Sequence, residues 1–211
     1  MRFAPAGGAT QVAITLDACM GLTDQRILDT LIAEAIPATI FATRLWLDAN
    51  PRTIETLTRH RQQIVVQNHG AQHLAAVIGS EHPYGIAPVR TLDGLFAEVV
   101  GGVQAVKDAF GASPVWYRDA TALYSADAMP LIGTMGQKIA GFSLNGDFGA
   151  SVAADTAHAR IGAAKSGDVV IAHINQPHRP AGAGVAEGLK ALKARGIRFV
   201  HLHEVEMVTI P

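Results

Sequence analysis

Short runs of apolar and β-branched residues alternate along the chain with stretches of helical periodicity. Residues 12–17 (VAITLD) read as a first strand, and 23–35 as a helix with Thr23 or Asp24 at its N-cap. Residues 38–43 (ATIFAT) form a second strand behind Pro37. A helix over 51–61 opens on Pro51, where proline is tolerated, and 63–67 (QIVVQ) make a third strand. The rhythm then breaks. Residues 70–90 hold Gly79, Pro83, Gly85 and Pro88 and read as a long loop, a kind of segment that often carries function. Beyond it come a helix over 92–110, a strand over 115–118, a helix over 126–135 and a strand over 138–144. A short helix over 156–164, a strand over 168–174, a helix over 185–194 ended by Gly196 and a strand over 198–205 complete the pattern.

Seven strands, each but the last followed by a helix, imply parallel pairing with both sheet faces covered. Two architectures suit that order: a closed or nearly closed (β/α) barrel, or an open doubly wound sheet. No GxGxxG or GxxxxGK[ST] follows the first strand, so nothing supports a nucleotide fold. No repeat, low-complexity tract or linker interrupts the chain, and one domain over 1–211 is expected.

Composition narrows the class. With 211 residues, 49% hydrophobic and 17% charged, the chain can bury a sizeable core and is not of disordered type. Its net charge is −1 and no lysine/arginine run stands out, which argues against a nucleic-acid partner. The single cysteine, Cys19, excludes an internal disulfide and any zinc site with several cysteine ligands. No apolar stretch approaches the roughly 20 residues of a membrane span. Residues 1–10 lack the apolar segment of a signal peptide, so the protein is cytoplasmic or begins after a removed signal. Nothing in the pattern reports an oligomeric state.

In α/β folds of either kind, ligands bind beyond the carboxyl ends of the strands. The ionisable residues gather there: Asp17 after the first strand, Asn68, His69 and His73 after the third, and Arg118 and Asp119 at the fourth. Asn145 and Asp147 follow the fifth, and His173 closes the sixth. The opposite ends carry ordinary surface residues, Gln11, Gln63 and Lys138. The His69/His73 spacing puts two imidazoles on one face of a helical turn, within reach of one metal ion, or else marks two unrelated loop histidines. Asp17 suits a ligand or general base, and equally a helix cap or ion-pair partner. His173 suits a general acid or a core histidine. Arg118 suits an anchor for a carboxylate such as Asp147, or a surface residue. His201 and His203 alternate on the last strand as a second conceivable metal pair. Cys19 reads first as a buried apolar-like thiol and only secondarily as a thiolate ligand or nucleophile.

Taken in order, these motifs resemble those of the NodB-like polysaccharide deacetylases (carbohydrate esterase family 4). The usual T-F-D-D is Thr15-Leu16-Asp17-Ala18, and the usual H-[ST]-x-x-H is His69-Gly70-Ala71-Gln72-His73. An arginine motif is met by Tyr117-Arg118-Asp119-Ala120, a later aspartate by Asp147, and an apolar strand ending in histidine by 169–173. Residues 36–50 also look like the family's second strand and following helix. The resemblance spans about 12–205. It implies a distorted (β/α)7 barrel and metal-assisted removal of acetyl groups from N- or O-acetylated carbohydrate. It further implies a divalent ion, Zn²⁺ or alternatively Co²⁺ or Ni²⁺, on His69 and His73. Asp17 would be the base, His173 the acid, and Arg118 and Asp147 their supports. Ala18 stands where the family has a metal-binding aspartate. Water, Asp17, Asp119 or Asn68 would then have to fill that role, and a binding-only relative or a metal-independent C–N hydrolase of small amides are the rival readings. Aromatic platforms for a glycan are few: Trp46, Tyr84, Trp116, Tyr117 and Tyr124.

Overall fold

The structure, a computed structural model, describes residues 1–6 and 10–208. In chain order its elements are β1 (Arg2–Phe3), β2 (Gln11–Ala18), α1 (Gln25–Ala33), β3 (Ala38–Ala42), α2 (Arg44–Ala49), α3 (Pro51–Arg59) and β4 (Ile64–Asn68). There follow α4 (Leu92–Phe110), β5 (Trp116–Tyr117), α5 (Ala128–Thr134), β6 (Lys138–Ile139) and β7 (Leu144–Asn145). The last are α6 (Ala154–Gly162), β8 (Asp168–His173), α7 (Ala181–Ala194), β9 (Arg198–Val200) and β10 (Met207–Val208).

Every residue of β2 is buried, and its two faces have different duties. Val12, Ile14, Leu16 and Ala18 pack outward against the helices, beside Ile27, Leu31, Val185 and Leu189. Ala13 turns inward to meet Phe41, Val169 and Val200. This is the period-2 alternation of a strand, and it places Asp17 on the inward set. Each fully buried aliphatic side chain of the outer layer contributes about 1.5–3 kcal/mol.

β2 pairs in parallel with β3, β8 and, at its start, β9. The sheet continues through β4, β5 and β6. The strand expected over 138–144 is split. Its first part pairs with β5 and its second, β7, with β8. Ala140 N donates to Tyr117 O at 2.8 Å and Ser143 N to Val169 O at 2.9 Å, so one broken segment carries the sheet back to its beginning. The result is the distorted (β/α)7 barrel of the expected type, not an open doubly wound sheet.

Other boundaries differ from the pattern. The last strand stops at Val200 and a 3-10 turn, Leu202–Glu204, follows. The short antiparallel pair of β1 and β10 was not foreseen. α7 starts at Ala181, ahead of the expected 185, and glycines in its first turns permit close packing. A Cβ on Gly184 would stand 2.0 Å from Ala154 O, and one on Gly182 1.9 Å from an Asp24 carboxylate oxygen. Asp24, not Thr23, caps α1, accepting from Arg26 N. No helix is long and apolar enough to cross a membrane among the described residues.

Candidate active site

The polar residues singled out at the strand ends converge at the C-terminal mouth of the barrel, but with partners different from those expected. Arg118 is fully buried on β5's exit and lies over the Phe41 ring, 4.3 Å from its centroid. Its Nη1 donates to Asp17 Oδ1 at 2.8 Å and to Thr15 Oγ1 at 2.9 Å. Arg118 therefore anchors Asp17, not Asp147. Burial pushes the Asp17 carboxyl up, but Arg118 and the nearby histidines outweigh it and hold the group below its ordinary value. Asp147, also fully buried, serves His173: its Oδ1 is 2.8 Å from His173 Nδ1 and its Oδ2 accepts the His173 amide at 2.7 Å. Burial opposes charge on that imidazole, yet Asp147 and Cys19 lift it well above the usual histidine value.

The segment from His69 to His73 is not a helical turn. Gly70 has φ +90° and His73 φ +61°, so the chain bends through left-handed backbone. The two rings still meet, 5.2 Å apart between centroids at 65°. Glu98 on α4 holds this bend, accepting from Gln72 N at 2.8 Å and Leu74 N at 3.1 Å. A Cβ at position 70 would lie 2.1 Å from Glu98 Oε1, so the bend requires glycine there. His69 Nδ1 is 2.7 Å from Arg118 O. A carbonyl only accepts, so Nδ1 carries the proton and Nε2 keeps a lone pair when the ring is neutral. Burial lowers the His69 pKa, but Asp17 and Cys19 reverse this and raise it to about 9. His73 Nε2 is buried without a partner.

Cys19, which the sequence suggests first as an apolar-like thiol, has its Sγ 3.5 Å from His69 Nε2. Cys19, His69 and His73 each present one ligand atom, all within 4.8 Å of one another. They form the one cluster of three metal-ligating groups found among the described residues. Burial raises the Cys19 thiol pKa, but His69 and its neighbours bring it well below the usual cysteine value. A signal for this was present: Cys19 is two residues beyond Asp17, on the same face of an extended chain.

Neither polar neighbour stands in for the acidic residue missing at Ala18. Asn68 is committed to Val99 O and Gly70 N. Asp119 accepts from Ala76 N and Thr121, which pins the long loop, and burial raises its pKa. Ala18 itself is fully buried in the outer core. The second histidine pair lies apart: His201 and His203 stack at 5.1 Å beyond β9, and no third ligand joins them among the described residues.

A cavity of about 540 Å³ opens over the cluster, lined among others by Asp17, Cys19, His73, His173, Tyr84 and Phe148. Of the five aromatics expected as platforms, only Tyr84 faces this cavity; Trp46, Trp116 and Tyr117 are buried. Tyr124 lines a separate cavity of about 380 Å³ beneath the long loop. Phe142 and Phe148, which the sequence pattern did not flag, line the main cavity instead.

The family model described as polysaccharide deacetylase matches residues 5–140. No curated protein sequence matches the chain. Solved structures do. A peptidoglycan N-acetylglucosamine deacetylase superposes with TM-score 0.74 at 18% identity, covering 96% of this chain and 90% of the other. A family 4 acetyl xylan esterase from Clostridium thermocellum, with a cobalt ion, gives TM-score 0.72 at 21% identity over 92% and 89%. A family 4 pseudoenzyme from Bacillus anthracis gives TM-score 0.74 at 15% identity over 94% and 66%.

Proposed function

Because this chain belongs to the polysaccharide deacetylase family, we propose that it is a metal-dependent hydrolase releasing acetate from an N- or O-acetylated carbohydrate. One observation carries the reading: Asp17, Cys19, His73 and His173 line a single cavity, with Asp147 behind His173 and His69 against Cys19. The histidines fit a divalent ion. His73 Nε2 is buried and unpartnered, and His69, whose Nδ1 is taken by Arg118 O, turns its Nε2 toward Cys19 Sγ. Imidazole nitrogen suits Zn²⁺, with Co²⁺ or Ni²⁺ as alternatives. When bound, such an ion supplies Lewis-acid polarisation of the acetyl carbonyl and acidifies water.

The chain's own groups do the rest. Arg118 fixes Oδ1 of Asp17 and leaves Oδ2 to take the proton from the attacking water. Water adds its oxygen to the acetyl carbon, and the bond from that carbon to the sugar nitrogen or oxygen breaks. His173, oriented through Nδ1 by Asp147, gives a proton from Nε2 to the departing sugar atom. The products are acetate and the free amine or hydroxyl. The lining carries neutral Asn145, Asn175, Gln176 and Thr121 beside Tyr84 and Phe148, which suits an uncharged sugar.

Ala18 motivates a second reading, a member of the family that binds carbohydrate without turnover. Acetate release from chitin-like oligomers, peptidoglycan and acetylated xylan, assayed with added Zn²⁺, Co²⁺ or Ni²⁺, separates the two. Acetate formation that falls about 10²- to 10⁴-fold in Asp17→Asn is the expected result. Undiminished activity in that variant removes Asp17 as base. No acetate from any acetylated glycan favours the binding-only reading, and chelator-insensitive hydrolysis of small amides a metal-independent enzyme.

A further inference from the structure

We propose that Cys19 is the third protein ligand of the metal, making the centre a two-histidine, one-thiolate site; this rests on the metal-dependent reading above. Position 18 faces the helix layer, where Ala18 packs fully buried among Leu16, Ile27 and their neighbours. Position 19 returns to the face of Asp17, and Cys19 lines the cavity with it. The anionic donor missing at 18 is therefore supplied one residue later, on the face that looks at the histidines. A thiolate carries the same charge as the carboxylate it replaces.

The spacing agrees. Two ligands at about 2.3 Å (sulfur) and 2.0 Å (nitrogen) from a tetrahedral zinc stand about 3.5 Å apart. Cys19 Sγ and His69 Nε2 are separated by 3.5 Å. The third donor, His73 Nε2, is buried and has no other partner. The backbone of Cys19 is fixed, since Thr43 Oγ1 donates to its carbonyl while capping α2 through Trp46 N. Asp17 is not competing for the position: its Oδ1 is held by Arg118 and its Oδ2 is 3.9 Å from His69 Nε2. Three protein ligands with one side open to the cavity is the pattern of catalytic rather than structural zinc. A sulfur donor also moves selectivity toward Zn²⁺ and Co²⁺ and away from Mg²⁺ or Mn²⁺.

Cobalt reads this out independently of turnover. The full chain, stripped of metal, is titrated with Co²⁺ while absorbance is followed and bound metal is counted by elemental mass spectrometry. Cys19 is the only thiol, so any thiolate-to-cobalt charge-transfer band in the near ultraviolet belongs to it. The wild type is expected to bind one equivalent with that band. Cys19→Asp and Cys19→Ser should still bind Co²⁺ and lack it. Cys19→Ala should bind more than 100-fold more weakly, beyond the roughly 10- to 100-fold cost of losing an outer partner. Circular dichroism confirms that each variant is folded. Stoichiometric cobalt without the band, or unchanged affinity in a folded Cys19→Ala, overturns the thiolate ligand while leaving metal dependence standing. No binding of Co²⁺ or Zn²⁺ by the wild type overturns both.

Discussion

β3 meets β4 along an unbroken register from Ala38↔Ile64 to Ala42↔Asn68, whereas β4 meets β5 at the single pair Asn68↔Tyr117. The first side of the barrel is held by backbone ladders. The second, from β4 through β5 to the break between β6 and β7, has ladders of only one or two residue pairs, which side chains reinforce. Gln67 Oε1 accepts the amides of Val115 and Trp116 at 2.9 and 2.8 Å. Arg118 donates through Nε to Ala140 O at 3.2 Å and through Nη2 to Gly141 O at 3.1 Å. The same guanidinium holds Asp17. On the ladder side, structure and chemistry are separable; on the other, one residue serves both.

The largest effect should come from breaking that double duty. Arg118→Ala leaves the buried Asp17 carboxylate unpaired and is expected to cost about 3–5 kcal/mol in denaturant unfolding, together with activity. Arg118→Lys keeps the charge but cannot reach Asp17 and both carbonyls, and should fall between. If Arg118→Ala unfolds like the wild type, the contrast between the two sides is wrong. Next, Gln67→Ala strands two amides in the half-buried join between β4 and β5 and should cost about 1–3 kcal/mol by the same measurement. On the ladder side, Ile40→Val removes one buried methylene from β3. It should cost about 0.5–1.5 kcal/mol and leave acetate release unchanged; a parallel loss of activity would blur the distinction.

The smallest effect is a pH dependence at the far end of the barrel. Burial pushes the His201 imidazole below its ordinary value, Glu204 pulls partly back, and His203 adds to the lowering. The unfolded chain therefore binds this proton more tightly than the folded one. Stability should be unaffected by His201 above about pH 6.5 and should fall as pH drops below it. Melting temperatures from pH 7.5 to 5.5 should decline less steeply in His201→Gln; equal slopes would remove the linkage.

The same contrast governs what could be read from sequence. β2, β3, β4 and β8 are apolar runs long enough to show their nature, and α4 matches its expected bounds. Residues 138–144 look like one strand because periodicity records alternation, not neighbours. The two halves of that run pair with opposite partners. Spacing brought His69 and His73 together through the wrong geometry, since the bend rests on Gly70 and on Glu98, a residue 28 positions from Gly70 whose role only tertiary packing reveals. The partner of Asp17 was equally hidden, because Arg118 lies 101 residues away. Cys19 was legible in principle, once the strand alternation is extended past Asp17 to the next inward position.

The position of β2 bears on the order in which the molecule assembles. Its ladder with β8 aligns Thr15 with Ile171, Thr15 Oγ1 also donates to Val170 O, 155 positions away, and β9 comes later still. On a ribosome, the strand carrying Asp17 can pair early with β3, but its other edge stays open until nearly the whole chain has emerged. Pairings of such long sequence separation form slowly, and an apolar strand left unpaired is prone to misassociation. The strand that organises the chemistry is therefore the last to be enclosed, so nascent-chain quality control would act on this protein late and at its most consequential element.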